Sequence, residues 1–192
     1  MSTGTIVLLS ILFLLIVIII IAIKWIIKTY NQLQVMKNKI EEAYHNIDVE
    51  LQRRWDLINN LVETVKGYAK HEKEIWDKFA EARGAAQNAK SPKDLAAADN
   101  MFTQALKSLL LVVEKYPELK ADKHFTQLMN ELRGVEDQVK FARKSYNDMV
   151  YQYNKSISLF PTNIVAKHMG FEKMEYFTIE EEEMRHAPKV KF

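Results

Sequence analysis

A continuous apolar segment opens the hydrophobic pattern of this chain. Residues 6–23, IVLLSILFLLIVIIIIAI, contain 18 consecutive positions without a charged side chain. At about 1.5 Å of rise per helical residue, a segment of this length crosses the ~30 Å hydrocarbon layer of a bilayer. The pattern therefore predicts a transmembrane anchor over residues 6–27, preceded by a short N-terminus of residues 1–5.

The residues around the apolar segment predict how it sits in the lipid bilayer. Lys24, Trp25 and Lys28 are expected at the membrane interface, where an indole ring lies at headgroup depth and lysines extend toward water. A cleaved signal peptide is the alternative, but it would begin with basic residues, and MSTGT has none. Because every basic residue follows the apolar segment 6–23, the positive-inside rule predicts the N-terminus outside and the folded domain in the cytoplasm.

Beyond the membrane, apolar residues recur with the period of an α-helix. From Leu33 to Ala69 the stripe positions are 3.6 residues apart on average, and ten of eleven are apolar. Gly67 lies off the stripe and Phe79 continues it, so the pattern predicts one helix over residues 28–89. We call the following residues of this stripe the packing seam: Leu33, Met36, Ile40, Ile47, Leu51, Arg54, Ile58, Leu61 and Val65.

The next part of the chain predicts two more helices. Ser91 is expected as an N-cap, with Pro92 at the first helical position, and this helix is expected over residues 92–116. A third helix, whose apolar residues alternate in steps of three and four, is expected over residues 122–160. These elements predict an all-α protein, in which the transmembrane helix continues into a long antiparallel up-and-down helical bundle of residues 28–160.

A short C-terminal tail, residues 161–192, follows the bundle. We expect a short helix over residues 162–169 and an extended end with the alternating sequence KVKF. Val190 and Phe192 are predicted to anchor this end on the bundle. The alternative is that a partner groove captures the end by β-strand addition.

Composition and motifs argue against several classes of function. The chain has 27 basic and 25 acidic residues, so no concentrated basic surface points to nucleic acid. It has no cysteine, which excludes disulfides and thiolate chemistry. It also has neither a Gly-x-Ser-x-Gly turn nor a glycine-rich phosphate loop. We therefore predict a protein that is not an enzyme and that has no cofactor.

Metal binding in the bundle core is an alternative function. A di-metal carboxylate site would use Glu-x-x-His pairs that face inward from two helices. Glu42 and His45 have this spacing, but their helical phase directs them away from the packing seam. The second such pair, Glu183 and His186, lies in the tail. No catalytic or metal-binding residue is therefore predicted, and a ligand- or metal-binding bundle remains the alternative.

Arg54 is the one charged residue within the apolar stripe. A buried guanidinium requires an acidic partner, because an unpaired buried charge is very costly. The expected partners are Glu114, Glu131 and Glu136. The alternative is that the Arg54 side chain extends to water at the edge of the bundle.

The predicted helix lengths determine what can cover the packing seam. A second helix of about 24 residues, or ~36 Å, would return along the first only to Val65, and the third helix would then lead away from the membrane. The stripe from Leu33 to Leu61 would be exposed, and such stripes usually mark association sites. This argument predicts a homo-oligomer. In the alternative, the third helix or the tail covers the stripe and the bundle is monomeric.

Four stretches of the chain carry a family resemblance: IDVELQRRWDLINNLVETVKGYAKHE (47–72), YPELKADKHFTQLMNEL (116–132), SYNDMVYQYN (145–154) and APKVKF (187–192). They resemble the LemA family of bacterial membrane proteins. The chain departs from the family pattern at Trp55, Asn59 and His124, and the Pro expected at position 59 is absent.

The LemA resemblance implies a single-pass protein of the bacterial inner (cytoplasmic) membrane, with an N-terminal anchor and an antiparallel helical bundle. It implies no established enzymatic activity. Members are sometimes encoded near membrane metalloproteases, which implies a structural scaffold or an accessory partner of such a protease.

Overall fold

The computed structural model describes residues 3–69 and 71–178. No strand occurs among these residues, and the predicted all-α class is confirmed. The chain divides into a first unit, residues 1–41 and 149–174, and a second unit, residues 42–148 and 175–192. The helices are α1 (Thr3–Tyr68), α2 (Lys73–Asn88), α3 (Pro92–Val113), α4 (Pro117–Lys120), α5 (Lys123–Ser158) and α6 (Thr162–His168).

Helix α1 begins with the apolar segment. Its most apolar window of 18 residues has a mean hydropathy of 3.7 and no residue buried within the protein. By length and composition, α1 is the one helix among the described residues that can cross a membrane. Its apolar side chains between Ile6 and Ile23 are almost all exposed, which in water would be strongly unfavourable.

Helix α1 ends at Tyr68, about 21 residues before the boundary predicted from the seam period. Gly67 weakens the last turn, since glycine costs about 1 kcal/mol relative to alanine within a helix. The following helix, α2, buries Ile75 and Phe79 as it packs against α3. These residues continue the hydrophobic period of α1. Burial of each side chain against α3, however, contributes about 1.5–3 kcal/mol to the stability of the fold. The chain must reverse direction after α1 to make this contact.

The break after Tyr68 adds one reversal to the predicted topology. Tyr68 contacts Asp122, directly before α5, through a 3.3 Å hydrogen bond, whereas the ring of Tyr44 lies 6.1 Å from that of Tyr146. Within the second unit α5 therefore runs antiparallel to α1. The third helix that was expected to lead away from the membrane segment instead runs back along α1.

The direction of α3 in the second unit follows from two contacts at its ends. Asp99, in the first half of α3, pairs with Arg54, and Lys115, just beyond the end of α3, lies 3.7 Å from Glu72. From the first contact to the second, the residue numbers increase on both sides, from Arg54 to Glu72 and from Asp99 to Lys115. Helix α3 therefore runs in the same direction as α1, and α2, which connects them, runs in the opposite direction. The second unit is thus an up-down-up-down arrangement of α1, α2, α3 and α5.

The predicted start of α3 is present in the structure. The Ser91 hydroxyl accepts a hydrogen bond from the Asp94 backbone, and the Asp94 carboxylate accepts one from the Ser91 backbone. This reciprocal capping box satisfies two backbone donors that an uncapped helix leaves unpaired. Helices α3 and α5 end within three residues of their predicted boundaries.

The first unit combines the start of α1 with the end of α5 and with α6. Residues between 31 and 39 of α1 and between 152 and 156 of α5 line one surface groove together with Leu159, which directly follows α5. The rings of Tyr30 and Phe171 lie 5.6 Å apart in an edge-to-face contact. The short helix predicted over residues 162–169 is present as α6. The predicted extended end with Val190 and Phe192 lies outside the described residues.

Candidate functional site

The packing seam lies inside the protein. Eight of its nine residues are buried, and Met36 is half-buried. The expectation that the stripe from Leu33 to Leu61 lacks cover within the chain is therefore wrong. The cause is the extra reversal at α2, which places α5 beside α1. The helix-length argument for a homo-oligomer no longer applies, and self-association stays a prediction.

A cluster of charged side chains crosses the seam at Arg54. The Nη1 atom of Arg54 donates to Oδ1 of Asp99 at 2.5 Å, and its Nη2 atom donates to Oε1 of Glu136 at 3.1 Å. The Nη1 and Nη2 atoms of Arg54 also donate to the Thr103 hydroxyl oxygen, at 3.2 and 3.3 Å. One arginine on α1 thus joins α3 and α5.

Arg143 completes this ion cluster from α5. Its Nη2 atom donates to Oδ2 of Asp99, so one carboxylate accepts from two arginines. Asp99 is only 2% exposed, while Glu136 is one-third exposed. The two arginines balance the two acids in charge, which limits the cost of placing ions in the core. We call Arg54, Asp99, Glu136 and Arg143 the ion cluster.

The ion cluster still leaves polar atoms without a partner. The Nε atoms of Arg54 and Arg143 are buried and have no hydrogen-bond acceptor among the described residues. Each buried donor without a partner costs about 1–3 kcal/mol. Charged contacts of this kind are weak evidence for stability, but they specify which helix faces can meet.

Arg143 also contacts the segment that follows α6. Its guanidinium carbon lies 5.0 Å from the centre of the Phe177 ring, in a cation–π arrangement. Beside it, Asn147 binds the backbone of Phe177 in both directions: Nδ2 donates to the carbonyl at 3.0 Å, and Oδ1 accepts from the N–H at 2.8 Å. The Tyr146 hydroxyl donates to the Glu175 carbonyl at 2.9 Å. In the second unit, α5 therefore holds residues 175–177 mainly through backbone contacts.

The first unit repeats the same side-chain amide contact. Nδ2 of Asn154 donates to the Met174 carbonyl and Oδ1 accepts from the Met174 N–H, each at 2.9 Å. These bonds satisfy a backbone that lacks helix or sheet partners, and each such buried group would otherwise be costly. Asn147 and Asn154 belong to the Tyr-Asn pairs of SYNDMVYQYN, to which the sequence alone gave no structural role.

Burial changes the acidity of tyrosines in the two units. In the second unit, burial raises the pKa of Tyr146 above its ordinary value, and the neighbouring Tyr44 and Glu175 add to the shift. Burial also raises the pKa of Tyr44, with further contributions from Asp48 and Asp94. In the first unit, burial raises the pKa of Tyr153, to which Glu172 adds. The neutral phenol is the form that the folded protein favours at these positions.

The ion cluster confirms one expected partner of Arg54 and adds others. Glu136 was expected, whereas Glu114 and Glu131 make no ion pair with Arg54 in the described part of the chain. Asp99 was missed, although a signal was present. It lies four residues after Leu95 and three before Phe102, both on the apolar side of α3. Like Arg54, it is a charge in register with an apolar face.

Trp55 is a second core residue that the seam did not include. It is buried beside the seam and stacks on Phe102 of α3, with ring centres 5.2 Å apart and an interplanar angle of 15°. Its position in the sequence is adjacent to Arg54, so the apolar face of α1 is wider than a single stripe. Phe79 of α2 contacts the same Phe102 at 6.5 Å.

The remaining predicted residues within the described part of the chain are exposed. Lys24, Trp25 and Lys28 lie exposed on α1 directly after the apolar segment. Glu42 and His45 are also exposed. Within residues 3–69 and 71–178, no group of three or more His, Asp or Glu side chains is arranged to hold a metal ion. Glu183 and His186 lie outside these ranges.

The described chain has one apolar span followed by packed helices, and the buried charges of these helices pair with each other. These features define a membrane-anchored helical protein. Comparison with known families then gives the particular family. The LemA family model matches residues 43–192, and the chain belongs to the LemA family.

Relatives with two different names support this assignment. The chain is 28% identical over 174 residues to magnetosome protein MamQ 1 of Paramagnetospirillum magneticum, an alignment that covers 77% of this chain and 64% of the relative. It is 26% identical, with the same coverage, to magnetosome protein MamQ of Magnetospirillum gryphiswaldense. It is 27% identical over 155 residues to protein LemA of Metamycoplasma hominis, covering 79% and 69% of the two chains. The chain thus spans 64% of the length of the MamQ relatives, which is slightly less than two thirds, and 69% of the length of protein LemA.

Proposed function

We propose that this protein is a non-catalytic scaffold that presents a helical bundle to other proteins at the bacterial cytoplasmic membrane. One observation carries the proposal. The buried charged residues of the described core, Arg54 and Asp99, bind each other across two helices. Charges that served catalysis or ligand binding would face a cleft, whereas these two specify how helices pack.

The outer faces of the helices are where partners would bind. The packing seam is used within the chain, so an interaction must involve residues that stay exposed after folding. In the second unit, Val49 on α1, Leu111 on α3 and Phe141 on α5 are large apolar side chains with exposures of 64%, 71% and 73%. Single exposed apolar residues are common, so these positions are starting points for mapping and not a defined patch.

Self-association and a membrane-protein partner are the two forms of this scaffold proposal. Chains anchored in one membrane are concentrated in two dimensions, which favours binding to other copies without a large interface. An accessory role beside a membrane metalloprotease is one specific case of the second form. In either form the predicted orientation places the bundle in the cytoplasm, because the basic residues follow the apolar segment 6–23.

Site-specific photo-crosslinking of the full-length chain in native membranes tests the proposal. A photoreactive phenylalanine analogue at Phe141, Leu111 or Val49 should give discrete crosslinked products. A product of twice the 22.4 kDa chain mass indicates self-association, and a product that contains another membrane protein indicates a partner. The same analogue at Ile58, which is fully buried, is the control and should give no intermolecular product. Absence of products from all three exposed positions contradicts the proposal.

A ligand- or metal-binding bundle remains the alternative function. Among the described residues, no group of three or more His, Asp or Glu side chains is arranged to hold a metal ion. Elemental analysis of the purified full-length protein separates the two functions. A stoichiometric transition metal that survives dialysis against a chelator would contradict a purely structural role.

A further inference from the structure

The connection between α5 and α6, together with α6 and the residue after it, exposes four large apolar side chains that are close together in sequence. Phe160 is 79% exposed, the highest value for a large apolar residue in the described chain. Leu159, Ile164 and Met169 are 53%, 61% and 48% exposed. We call these four residues the hairpin cluster. Exposed apolar groups of this size indicate a contact with another apolar phase.

The hairpin cluster lies at the level where α1 leaves the membrane. Leu159 lines the same groove as Asn31 and Gln32 of α1, and Phe171 contacts Tyr30. Thr29, two residues after the predicted end of the span, is only 8% exposed, so protein covers α1 from this point. Asn31 lies about 6 Å along the helix axis from the end of the span, and each headgroup layer is about 5–8 Å thick. The cluster therefore lies at headgroup depth.

The charge of the first unit fits the surface of an anionic membrane. Its sequence contains seven lysines and two acidic residues, a net charge of +5, whereas the whole chain has a net charge of +2. Lys155 precedes the hairpin cluster in sequence, Lys167 lies within it and Lys173 follows it, and all three are exposed. Lysines beside exposed apolar residues are typical of segments that lie in the interface of anionic bilayers.

We propose that the α5–α6 hairpin is a second membrane contact. The hairpin cluster inserts into the interfacial layer of the bilayer that α1 spans, and Lys155, Lys167 and Lys173 contact anionic phospholipid headgroups. The bilayer is the occupant because α1 continues into it directly beside the cluster. Insertion therefore needs no further partner. This contact is independent of the proposed scaffold role.

Spin-label depth measurement tests the insertion, since the natural chain has no cysteine to replace. The full-length Phe160→Cys variant is spin-labelled and reconstituted into nanodiscs that contain phosphatidylglycerol. Arg83→Cys, at an exposed position of α2 where no partner contact is proposed, is the control. Power saturation should show the label at position 160 open to oxygen and shielded from a water-soluble nickel complex, and the label at position 83 open to nickel.

Two results would overturn the insertion. One is equal access of the nickel complex to both labels, which places position 160 in water. The other is a label at position 160 that is shielded from oxygen and nickel alike, which indicates contact with protein, such as a second copy.

A second measurement tests the headgroup contact of the lysines. Adding phosphatidylglycerol to phosphatidylcholine nanodiscs should lower nickel access at position 160 several-fold. The double change Lys155→Gln and Lys167→Gln should remove most of this dependence. Lys107→Gln, at an exposed position of α3, is the control and should leave it unchanged. A dependence on lipid charge that survives the double change overturns the assignment of these lysines to the headgroups.

Discussion

Arg54 and Asp99 are 45 positions apart in the sequence, yet their side chains meet at 2.5 Å in the core of the second unit. Both are buried, and each has a further charged partner, Glu136 for Arg54 and Arg143 for Asp99. Taking these ions out of water offsets much of their attraction, so the contact contributes more to the choice of helix packing than to overall stability. Removal of one member, however, leaves a buried charge uncompensated.

Neutralising Asp99 should destabilise the protein far more than neutralising Glu136. Asp99→Asn leaves two arginines with one carboxylate in the core, and we expect a loss of about 3–5 kcal/mol in the free energy of unfolding. Glu136→Gln is the matched change at a one-third exposed acid that contacts the same arginine, and about 1 kcal/mol or less is expected. Denaturant unfolding of the full-length protein in micelles, followed by circular dichroism, measures both. Equal losses would show that the ion cluster is solvated.

Asn147 should control the order of the segment after α6. Asn147→Ala leaves the N–H and carbonyl of Phe177 without these hydrogen bonds. Loss of these two hydrogen bonds should lower the free energy needed to open this segment by about 1.4 kcal/mol or more. Amide hydrogen exchange of residues 175–178 should therefore become at least tenfold faster. Asn147→Asp keeps the acceptor and loses the donor, so an intermediate effect is expected. Exchange in α3 serves as the internal control, and an unchanged rate at residues 175–178 in the alanine variant would refute this role.

The packing seam should respond to cavity formation as a protein core does. Ile58 is fully buried, and Ile58→Ala should reduce the free energy of unfolding by about 2–5 kcal/mol. Val49→Ala on the exposed side of α1 is the control, with an expected change within about 0.5 kcal/mol. Thermal or denaturant unfolding of the anchored protein gives both values. A small effect at Ile58 would indicate that the seam is covered only loosely.

Alkaline pH should reduce the free energy of unfolding, because buried tyrosines are then deprotonated more readily in the unfolded chain than in the folded protein. Because burial raises the pKa of Tyr146 in the folded state, the unfolded chain loses this proton first. The contribution of Tyr146 to stability is complete below its ordinary pKa of about 10 and is lost as the pH rises through the higher folded value. Unfolding free energies measured from about pH 8 to about pH 12 should show this decline.

Tyrosine-to-phenylalanine variants distinguish the deprotonation of Tyr146 from other effects of alkaline pH on stability. Tyr146→Phe should lessen the decline above about pH 10, and it should cost about 1 kcal/mol at lower pH, since the hydroxyl no longer donates to Glu175. Tyr151→Phe, at an exposed position of the same helix, is the matched control for the loss of a hydroxyl group. A decline of the same size in the Tyr146→Phe protein would contradict the assignment.

Local sequence signals determined the class of fold and several boundaries. The apolar run predicted the span, because a bilayer imposes a length and composition that few other structures require. Ser91, Pro92 and Asp94 predicted the start of α3, because the capping bonds join residues three apart. The helical period predicted the packing seam and marked Arg54 as a charge that needs a partner. All of these depend on residues near one another in the chain.

Only the tertiary structure decided where α1 ends and what covers it. The period alone continues past Tyr68, and the chain reverses because Ile75 and Phe79 are buried against α3. The sequence narrowed the partners of Arg54 to Glu114, Glu131 and Glu136, of which only Glu136 is confirmed, and it indicated no partner for Asn147, because the chain offers 25 acidic residues and many backbone groups. Asp99 and Phe177 are selected when α3 and α5 come together, and that depends on packing contacts between residues distant in sequence.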